Sequence, residues 1–277
     1  MNIPGLHFLY LVLVVRLLLP APAVSAEPPN RIISLAPNLT EILYAMGLGD
    51  RVVGVTTFCD KPEETKKKPR VGGMSNPSLE AVVKLKPDIV AMTTDGNPRE
   101  FEERLRSLKI RTYVFKARKL ADLPGGIRDM GSALGRKEKA YALAQEIEAA
   151  VKRPAFSSRP ASKKKVLFIV WPEPLIVAGP GTAIDDVITL LGHTNIASQA
   201  AVSYPKYSME AVIRQAPDVI FIGKGHTDIK GMSQGLLKKI AAVPAVKNGK
   251  VFFLSDDLYR MGPRVVKGIG EMSACLR

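Results

Sequence analysis

The chain has 277 residues, 46% of them hydrophobic, and carries 40 Lys and Arg against 26 Asp and Glu, which gives a formal net charge of +14. That length and apolar fraction suit one large domain or two lobes with an ample core. A basic balance can indicate binding to nucleic acid or to an anionic membrane. No aromatic residues alternate with the lysine runs, however, so we expect no nucleic-acid partner.

Residues 1–26 have the pattern of a secretory signal peptide. A long apolar run ends with the small residues Val-Ser-Ala, which is typical of a cleavage site. Arg16 interrupts the run and shortens the apolar span, which favours a cleaved signal over an uncleaved membrane anchor. The sequence therefore predicts an exported, periplasmic protein whose mature chain begins at Glu27.

Strands and helices alternate in the part that follows. In chain order they are the strand "RIISLAP", the helix "NLTEILYAMGLGD", the strand "RVVGVTTF", a Pro- and Lys-rich loop, the helix "SLEAVVKLKP", the strand "DIVAMT", the helix "REFEERLRSLKI" and the strand "RTYVF". Regular alternation of this kind predicts an α/β fold built on a mainly parallel sheet.

Residues 120–153 break this rhythm. One helix, longer than the others, is predicted from about Ile127 to Lys152, and a polar Pro/Ser linker follows it. The alternation then restarts with "VLFIVW" and continues to the C-terminus. We therefore expect two similar α/β lobes joined by one long helix, with these boundaries: signal peptide 1–26, N-terminal lobe 27–122, connecting helix 123–153, C-terminal lobe 154–277.

One 13-residue segment occurs twice in the sequence in similar form. "SLEAVVKLKPDIV", from Ser78 to Val90, returns as "SMEAVIRQAPDVI", from Ser208 to Ile220, with six of 13 positions identical and five more conservatively replaced. A generic strand–helix recurrence is the alternative explanation, because "PD" before an apolar strand is common in α/β proteins. The number of matched positions in register favours a duplicated half.

Known catalytic signatures are missing from the sequence, so we expect no enzyme and no intrinsic cofactor or metal site. An exported hydrolase or chelatase would have to use Asp95, His226 and Asp256, and a sensor or scaffold module would use a cleft for a protein partner instead. Cys59 and Cys275 could pair in an oxidising compartment or stay as separate thiols, and their spacing does not suggest zinc.

Ligands of open α/β sheets bind beyond the carboxyl ends of the strands. With two lobes these ends can face one another across a cleft, which would then be lined by large flat or soft side chains. Such a lining suits a bulky ligand with an apolar face better than a simple ion or sugar. The residues expected there are Phe58, Met74, Trp171, Tyr204, Tyr207 and Tyr259.

Three blocks carry a resemblance to a known class: "RIISLAPNLTEILYAMGLGDRVVGVT", "VGGMSNPSLEAVVKLKPDIV" and "SYPKYSMEAVIRQAPDVIFI". Together with the long mid-chain helix they resemble the helix-backbone class of ABC-transporter substrate-binding proteins, above all its vitamin B12-binding members, with siderophore- and haem-binding relatives. The resemblance implies a monomer that clamps a ligand between two lobes and docks on an inner-membrane permease dimer. By motif position, Glu80 and Glu210 would meet arginines of that permease.

The resemblance also implies a set of pocket residues and a ligand class. Phe58 and Tyr204 match aromatic positions of the B12-binding members, two further aromatic positions are here Met74 and Thr93, and Trp171 falls one place from a third. The expected ligand is a corrinoid, with an iron–siderophore complex or haem as the alternative. The predicted ligand-binding residues are Asn38, Phe58, Met74, Thr93, Asp95, Trp171, Tyr204, Asp256, Tyr259 and Arg260.

Overall fold

The computed structural model describes residues 28–153, 156, 160–225 and 228–277. The predicted signal peptide and His226 lie outside the described residues. Within the described ranges, no helix has both the length and the apolar character that crossing a bilayer requires.

The first lobe is a four-stranded parallel sheet covered by helices. Its elements are β1 Ile32–Ser34, α1 Pro37–Ala45, β2 Val52–Val55, α2 Leu79–Lys84, β3 Ile89–Thr93, α3 Arg99–Ser107 and β4 Arg111–Phe115. The strand order is β2-β1-β3-β4, and every pair is parallel. The central strand β3 is buried along its whole length, as its uninterrupted apolar sequence predicts for a strand covered on both faces.

Two helices, rather than the predicted single one, follow the first sheet: α4 Leu123–Ala133 and α5 Lys137–Val151. The chain turns at Gly135, whose φ of +69° lies in the left-handed region that glycine adopts at helix ends. The two helices pack antiparallel, and the Arg128 guanidinium donates two hydrogen bonds of 2.9 Å to the Glu148 carboxylate. The expectation of one helix from about Ile127 to Lys152 is therefore corrected. The segment that leads to the second lobe is α5, about 22 Å long.

The second lobe is again a mainly parallel sheet flanked by helices, as predicted. Its elements are β5 Lys165–Pro172, β6 Leu175–Val177, α6 Ala183–Leu190, β7 Thr194–Asn195, α7 Met209–Gln215, β8 Val219–Gly223, α8 Ile229–Lys239, α9 Pro244–Lys247, β9 Val251–Leu254 and α10 Val265–Leu276. The order is β6-β5-β8-β9, with β7 also pairing with β5, and the β5–β6 hairpin is the antiparallel exception among these pairs.

The interiors of the two lobes are continuous. A single cluster of buried apolar residues includes Leu43 of α1, Ile147 of α5, Phe168 of β5 and Met272 of α10. Two smaller clusters fill the other face of each sheet. Helix α5 contributes one face to this shared core, with Ala140, Ala144 and Ile147, and most of its other residues are exposed.

Both cysteines are free thiols. Cys59 is fully buried in the first lobe, where the Thr40 hydroxyl donates a 3.1 Å hydrogen bond to its sulfur and Thr56 Oγ1 lies at the same distance. Burial raises the pKa of the Cys59 thiol, so this group behaves as an unreactive core residue. Cys275 is half-buried, and the two cysteines are separate thiols that do not form a disulfide with each other.

His193 is a buried base beneath the second sheet. It is 5% exposed, and its Nδ1 accepts a 3.2 Å hydrogen bond from the Lys164 backbone N–H. Burial, and then the nearby Lys164 charge, lower the pKa of His193 below its ordinary value of 6.5. The folded state therefore favours the neutral imidazole, whereas the unfolded chain takes up a proton as the pH falls through 6.5.

We expect the stability of the chain to fall between pH 7.5 and 5.5, and replacement by glutamine to remove that part of the slope. Because the unfolded state binds more protons than the folded state in this window, the free energy of unfolding decreases as the pH decreases. Urea denaturation of the parent and of His193→Gln at both pH values measures the difference. Identical pH slopes in the two proteins would contradict the assignment of the buried neutral imidazole.

Candidate functional site

A cavity of about 670 Å³ lies between the carboxyl ends of the two sheets, with walls from both lobes. Most of the predicted ligand-binding residues meet there. Those that line it are Asn38, Phe58, Met74, Thr93, Asp95, Tyr204, Tyr259 and Arg260. The rule that ligands of α/β proteins bind beyond the strand ends therefore located the cavity correctly.

The loop before each repeated segment supplies one residue to the cavity wall. Met74 stands four residues before Ser78, which caps α2, and Tyr204 stands four residues before Ser208, which caps α7. The two residues stand at the same distance before the repeated segments, and both side chains line the cavity. Equivalent loops of the two lobes thus face each other across the cleft, one with a thioether and the other with an aromatic ring.

The loop that carries Met74 is held in place by a side chain that the sequence analysis did not single out. The Asn97 carboxamide donates hydrogen bonds to the carbonyl oxygens of Leu35, at 2.9 Å, and Met74, at 2.7 Å, and accepts one of 2.8 Å from the Thr93 N–H. Asn97 therefore joins the ends of β1 and β3 to the cavity wall. The turn "DGNP" was the signal for such a residue, because Asn in turns commonly bonds to nearby backbone.

Two tyrosines line the cavity. Desolvation of the hydroxyl, and then the charge of Asp95, raise the pKa of Tyr204 to about 12. Burial, and then Asp256, also raise the pKa of Tyr259, whose hydroxyl accepts a 3.3 Å hydrogen bond from the Gly225 N–H and whose ring stands edge-on to Phe168. Both groups are neutral phenols at physiological pH, able to donate a hydrogen bond to a ligand.

Arg260 lines the cavity with its charge largely compensated. Its guanidinium is 8% exposed and forms ion pairs with Asp60 at 2.7 Å and Asp256 at 2.5 Å. Asp256, one of the predicted binding residues, is thus engaged by Arg260 and does not itself line the cavity. At the opposite rim, Asp95 lies 3.7 Å from Arg118.

Polar contacts tie the lobes together beneath the cavity. Glu41 of α1 accepts hydrogen bonds of 2.7 and 2.9 Å from Arg264, which precedes α10, and Arg264 also pairs with the buried Asp257. The Asn38 carboxamide donates to the Met261 carbonyl at 3.2 Å. Acids and amides of the first lobe therefore bind cations and backbone of the second, across more than 200 residues of sequence.

Trp171 lies away from the cavity. Its indole N–H donates a 2.8 Å hydrogen bond to the Glu173 carbonyl, and its ring packs against the core on the other face of the second sheet. Its neighbour Val170 lines the cavity instead, because successive residues of a strand point to opposite faces. Tyr207 also packs against that other core, and its hydroxyl donates to the Ile196 carbonyl at 3.2 Å. Lining residues that the sequence analysis did not single out include Val170, Ile176, Ile184 and Met261.

The two repeated acids are exposed on the cavity side of the molecule. Glu80 and Glu210 each occupy the second position of a helix whose N-terminus is capped by a serine hydroxyl, Ser78 or Ser208. Each helix is followed at once by a strand that runs back toward the cavity, so its N-terminus lies at the carboxyl edge of the sheet. Hydrogen bonds from its own backbone N–H and from Ser208 lower the pKa of Glu210, which keeps it ionised.

The residues named for metal binding or hydrolytic chemistry are distributed as follows. None of the His, Cys, Asp and Glu side chains of the described residues form a group of three that could hold a metal ion. Of the candidates for hydrolytic chemistry, Asp95 lines the cavity, Asp256 is bound to Arg260, and His226 lies outside the described residues.

Comparison with known sequences gives one family and a consistent set of relatives. The family described as "Periplasmic binding protein" matches residues 32–258. A vitamin B12-binding protein of Pectobacterium carotovorum is 30% identical over 240 residues, which cover 86% of this chain and 85% of that protein. An uncharacterised ABC transporter substrate-binding lipoprotein of Bacillus subtilis is 31% identical over 256 residues, with 89% and 80% covered.

Solved structures agree with the sequence relatives. The periplasmic vitamin B12 binding protein of Vibrio cholerae superimposes with a TM-score of 0.78 at 28% identity, over 90% of this chain and 97% of that one. A periplasmic haem-binding protein from Roseiflexus sp. RS-1, in its apo form, gives a TM-score of 0.81 at 30% identity, over 89% and 97% of the two chains. Both are similar in fold over nearly their whole length.

Proposed function

The chain belongs to the periplasmic binding protein family, and we propose that it is the substrate-binding component of an ABC importer that carries a corrinoid to an inner-membrane permease. The observation that carries the proposal is the two-walled cavity of about 670 Å³ at the carboxyl ends of both sheets. The protein binds its ligand by contacts from both lobes at once and performs no chemistry on it. The vitamin B12-binding relatives support this choice of ligand.

The charge of the cavity lining supports a largely uncharged ligand. Among the lining residues of the described chain, Asp95 and Arg260 are the charged ones, and Arg260 is already paired with Asp60 and Asp256. A corrinoid presents mostly neutral amide side chains around a broad ring, whereas haem brings two carboxylates that need cations. Burying unpaired carboxylates costs free energy, so this lining favours the corrinoid.

The haem-binding neighbours make haem the second candidate, and the two cavity tyrosines are the residues that favour it. A phenolate oxygen can ligate ferric haem iron. Tyr204 and Tyr259 both have raised pKa values, however, so forming the phenolate is harder than in water. The same argument applies to phenolate ligation in a ferric siderophore complex.

The experiment compares the retention of the three ligand classes in parallel. The purified chain is mixed separately with cyanocobalamin, hemin and a ferric hydroxamate siderophore, passed through a desalting column, and its visible spectrum is recorded. We expect the corrinoid spectrum to elute with the protein. Retention of hemin or of the siderophore alone would replace the corrinoid by that ligand, and retention of none of the three would remove the metal-chelate proposal.

Aromatic side chains in the cavity should contribute directly to ligand affinity. Phe58 and Tyr204 are 44% and 40% exposed, and both line the cavity. We expect Tyr204→Ala or Phe58→Ala to weaken cyanocobalamin binding about tenfold, equivalent to about 1.4 kcal/mol, because each loses one ring contact. Isothermal titration measures the change.

Matched variants separate this effect from general damage. Tyr204→Phe keeps the ring and should bind within about threefold of the parent, a difference well under 1 kcal/mol. Tyr141→Ala removes a tyrosine that is 54% exposed on α5, where it stacks on Arg128 and does not line the cavity, and should leave affinity unchanged. Equal affinity of Tyr204→Ala and Tyr141→Ala would argue against ring contact with the ligand.

A further inference from the structure

The repeated helices expose an apolar side chain at the same position of each copy. Val83 of α2 is 42% exposed and Ile213 of α7 is 48% exposed, and the two positions are equivalent in the duplicated sequence. The residues just before them, Val82 and Val212, are fully buried in the lobe interiors. In each copy, therefore, a valine is buried in the core of its own lobe and the next apolar residue is left about half exposed.

Helix geometry places each exposed apolar residue next to a repeated acid. Residues three apart lie on one face of a helix, so Glu80 and Val83 are neighbours on α2, as are Glu210 and Ile213 on α7. In the described part of the chain, neither glutamate has a cation within ion-pair distance, although Lys84 and Arg214 follow one residue after the apolar pair. Each lobe thus presents an acid and a branched aliphatic side chain side by side.

Isolated exposed aliphatic residues are common and need no explanation. The matched pair is different, because two sequences that diverge at other positions both retain a branched apolar residue where it is exposed. The duplicated positions also point to what covers them. A partner that meets both copies with the same chemistry must itself offer two equivalent sites, as a two-fold symmetric protein does.

We propose that Val83 and Ile213 form, with Glu80 and Glu210, two equivalent contact patches for one two-fold membrane partner, each half of which offers a cation beside an apolar pocket. This inference rests on the proposed transport function and adds the apolar half of the contact. The acids set orientation and attract the cations from a distance, and the aliphatic side chains lose water on docking and hold the complex. The patches lie on the cavity side of the lobes, which brings the partner to the cavity mouth.

Photocrosslinking tests which surface is covered. Benzoylphenylalanine is placed at position 83, 213 or 108, one at a time, and the ligand-loaded chain is irradiated on right-side-out inner-membrane vesicles of the source organism. Leu108 is the control, since it is 50% exposed at the far end of α3, away from the cavity. We expect positions 83 and 213 to capture the same ABC permease subunit, identified by mass spectrometry, and position 108 to capture none.

A competition arm measures the apolar contribution itself. The double variant Val83→Ser/Ile213→Ser, without benzoylphenylalanine, is added as a competitor. We expect that suppressing the crosslink takes about tenfold more of this variant than of the parent protein, and that Leu108→Ser competes as the parent does. Unchanged melting temperature and ligand affinity confirm that the serine variants are folded.

The outcomes distinguish a failure of the apolar patches from a failure of the transport function. Competition by Val83→Ser/Ile213→Ser equal to that of the parent, or capture of the permease from position 108, overturns the apolar patches. If Glu80→Ala/Glu210→Ala still fails to compete in that case, the transport function stands without them. Absence of any permease adduct together with absence of chain-dependent uptake removes both.

Discussion

A chain carrying Glu80→Lys and Glu210→Lys should bind cyanocobalamin with unchanged affinity and support no measurable uptake. Both acids are exposed, and neither lines the cavity, so reversing their charge leaves the ligand contacts intact. Each lost charge pair weakens docking about tenfold, or about 1.4 kcal/mol, and repulsion of permease cations adds to this, so the double variant loses at least about 100-fold. The loss is measured as uptake of labelled cyanocobalamin by cells that lack the native chain and express the variant.

Single variants and a matched control make this result specific. Glu80→Lys and Glu210→Lys alone should each retain partial uptake, because one patch remains on the other lobe. Glu138 is exposed at the second position of α5, the same helix position as the two acids, so Glu138→Lys changes the net charge equally. Uptake by the double variant at the level of Glu138→Lys would contradict a docking role for the repeated acids.

The second large effect concerns stability: Glu41→Ala should lower the free energy of unfolding by about 3 kcal/mol. The Glu41 carboxylate is 6% exposed, accepts two hydrogen bonds from Arg264 and lies 3.6 Å from Arg260. Its removal leaves two largely buried guanidinium groups with fewer counter-charges between the lobes. Urea denaturation followed by circular dichroism gives the change in stability.

Two further variants test whether the loss of stability comes from the buried charge network. Glu148→Ala breaks an ion pair with Arg128 whose partners are 37% and 32% exposed, and should cost much less than Glu41→Ala because solvent screens an exposed pair. Glu41→Met combined with Arg264→Met removes a charge from each lobe together and should recover part of the stability lost in Glu41→Ala, because Lys267 remains as a cation for the buried Asp257. A cost for Glu41→Ala no larger than for Glu148→Ala would show that the buried network does not hold the lobes together.

Local signals in the sequence were sufficient for the two-lobed α/β fold. The strands are short apolar runs, and the helices between them have clear starts, such as the serine caps of α2 and α7. The break between α4 and α5 escaped detection because Gly135 interrupts a pattern that is helical on both sides of it. A glycine inside such a run is compatible with a continuous helix or with a turn, and only packing of the two helices decides between them.

The site was predictable where it depends on strand ends and not where it depends on contacts distant in sequence. Phe58, Thr93 and Tyr259 lie at or near predicted strand ends, and all three line the cavity. Which face of the sheet a strand residue points to is harder to predict. Trp171 and Val170 are adjacent in β5 and point to opposite faces, so Val170 lines the cavity and Trp171 does not. The pairing of Glu41 with Arg264 joins residues 223 apart, for which one sequence offers no local signal.

The shared interior of the two lobes sets the conditions for emptying the cleft. Prying the lobes apart by a wide swing would expose apolar surface along α5, and exposing about 200 Å² costs about 5 kcal/mol at roughly 25 cal/mol per Å². An open conformation of that extent would be populated spontaneously in only about one molecule in several thousand. A wide spontaneous opening of the cleft is therefore rare, and we expect release of a bound ligand to require a contact from outside the protein that offsets this cost.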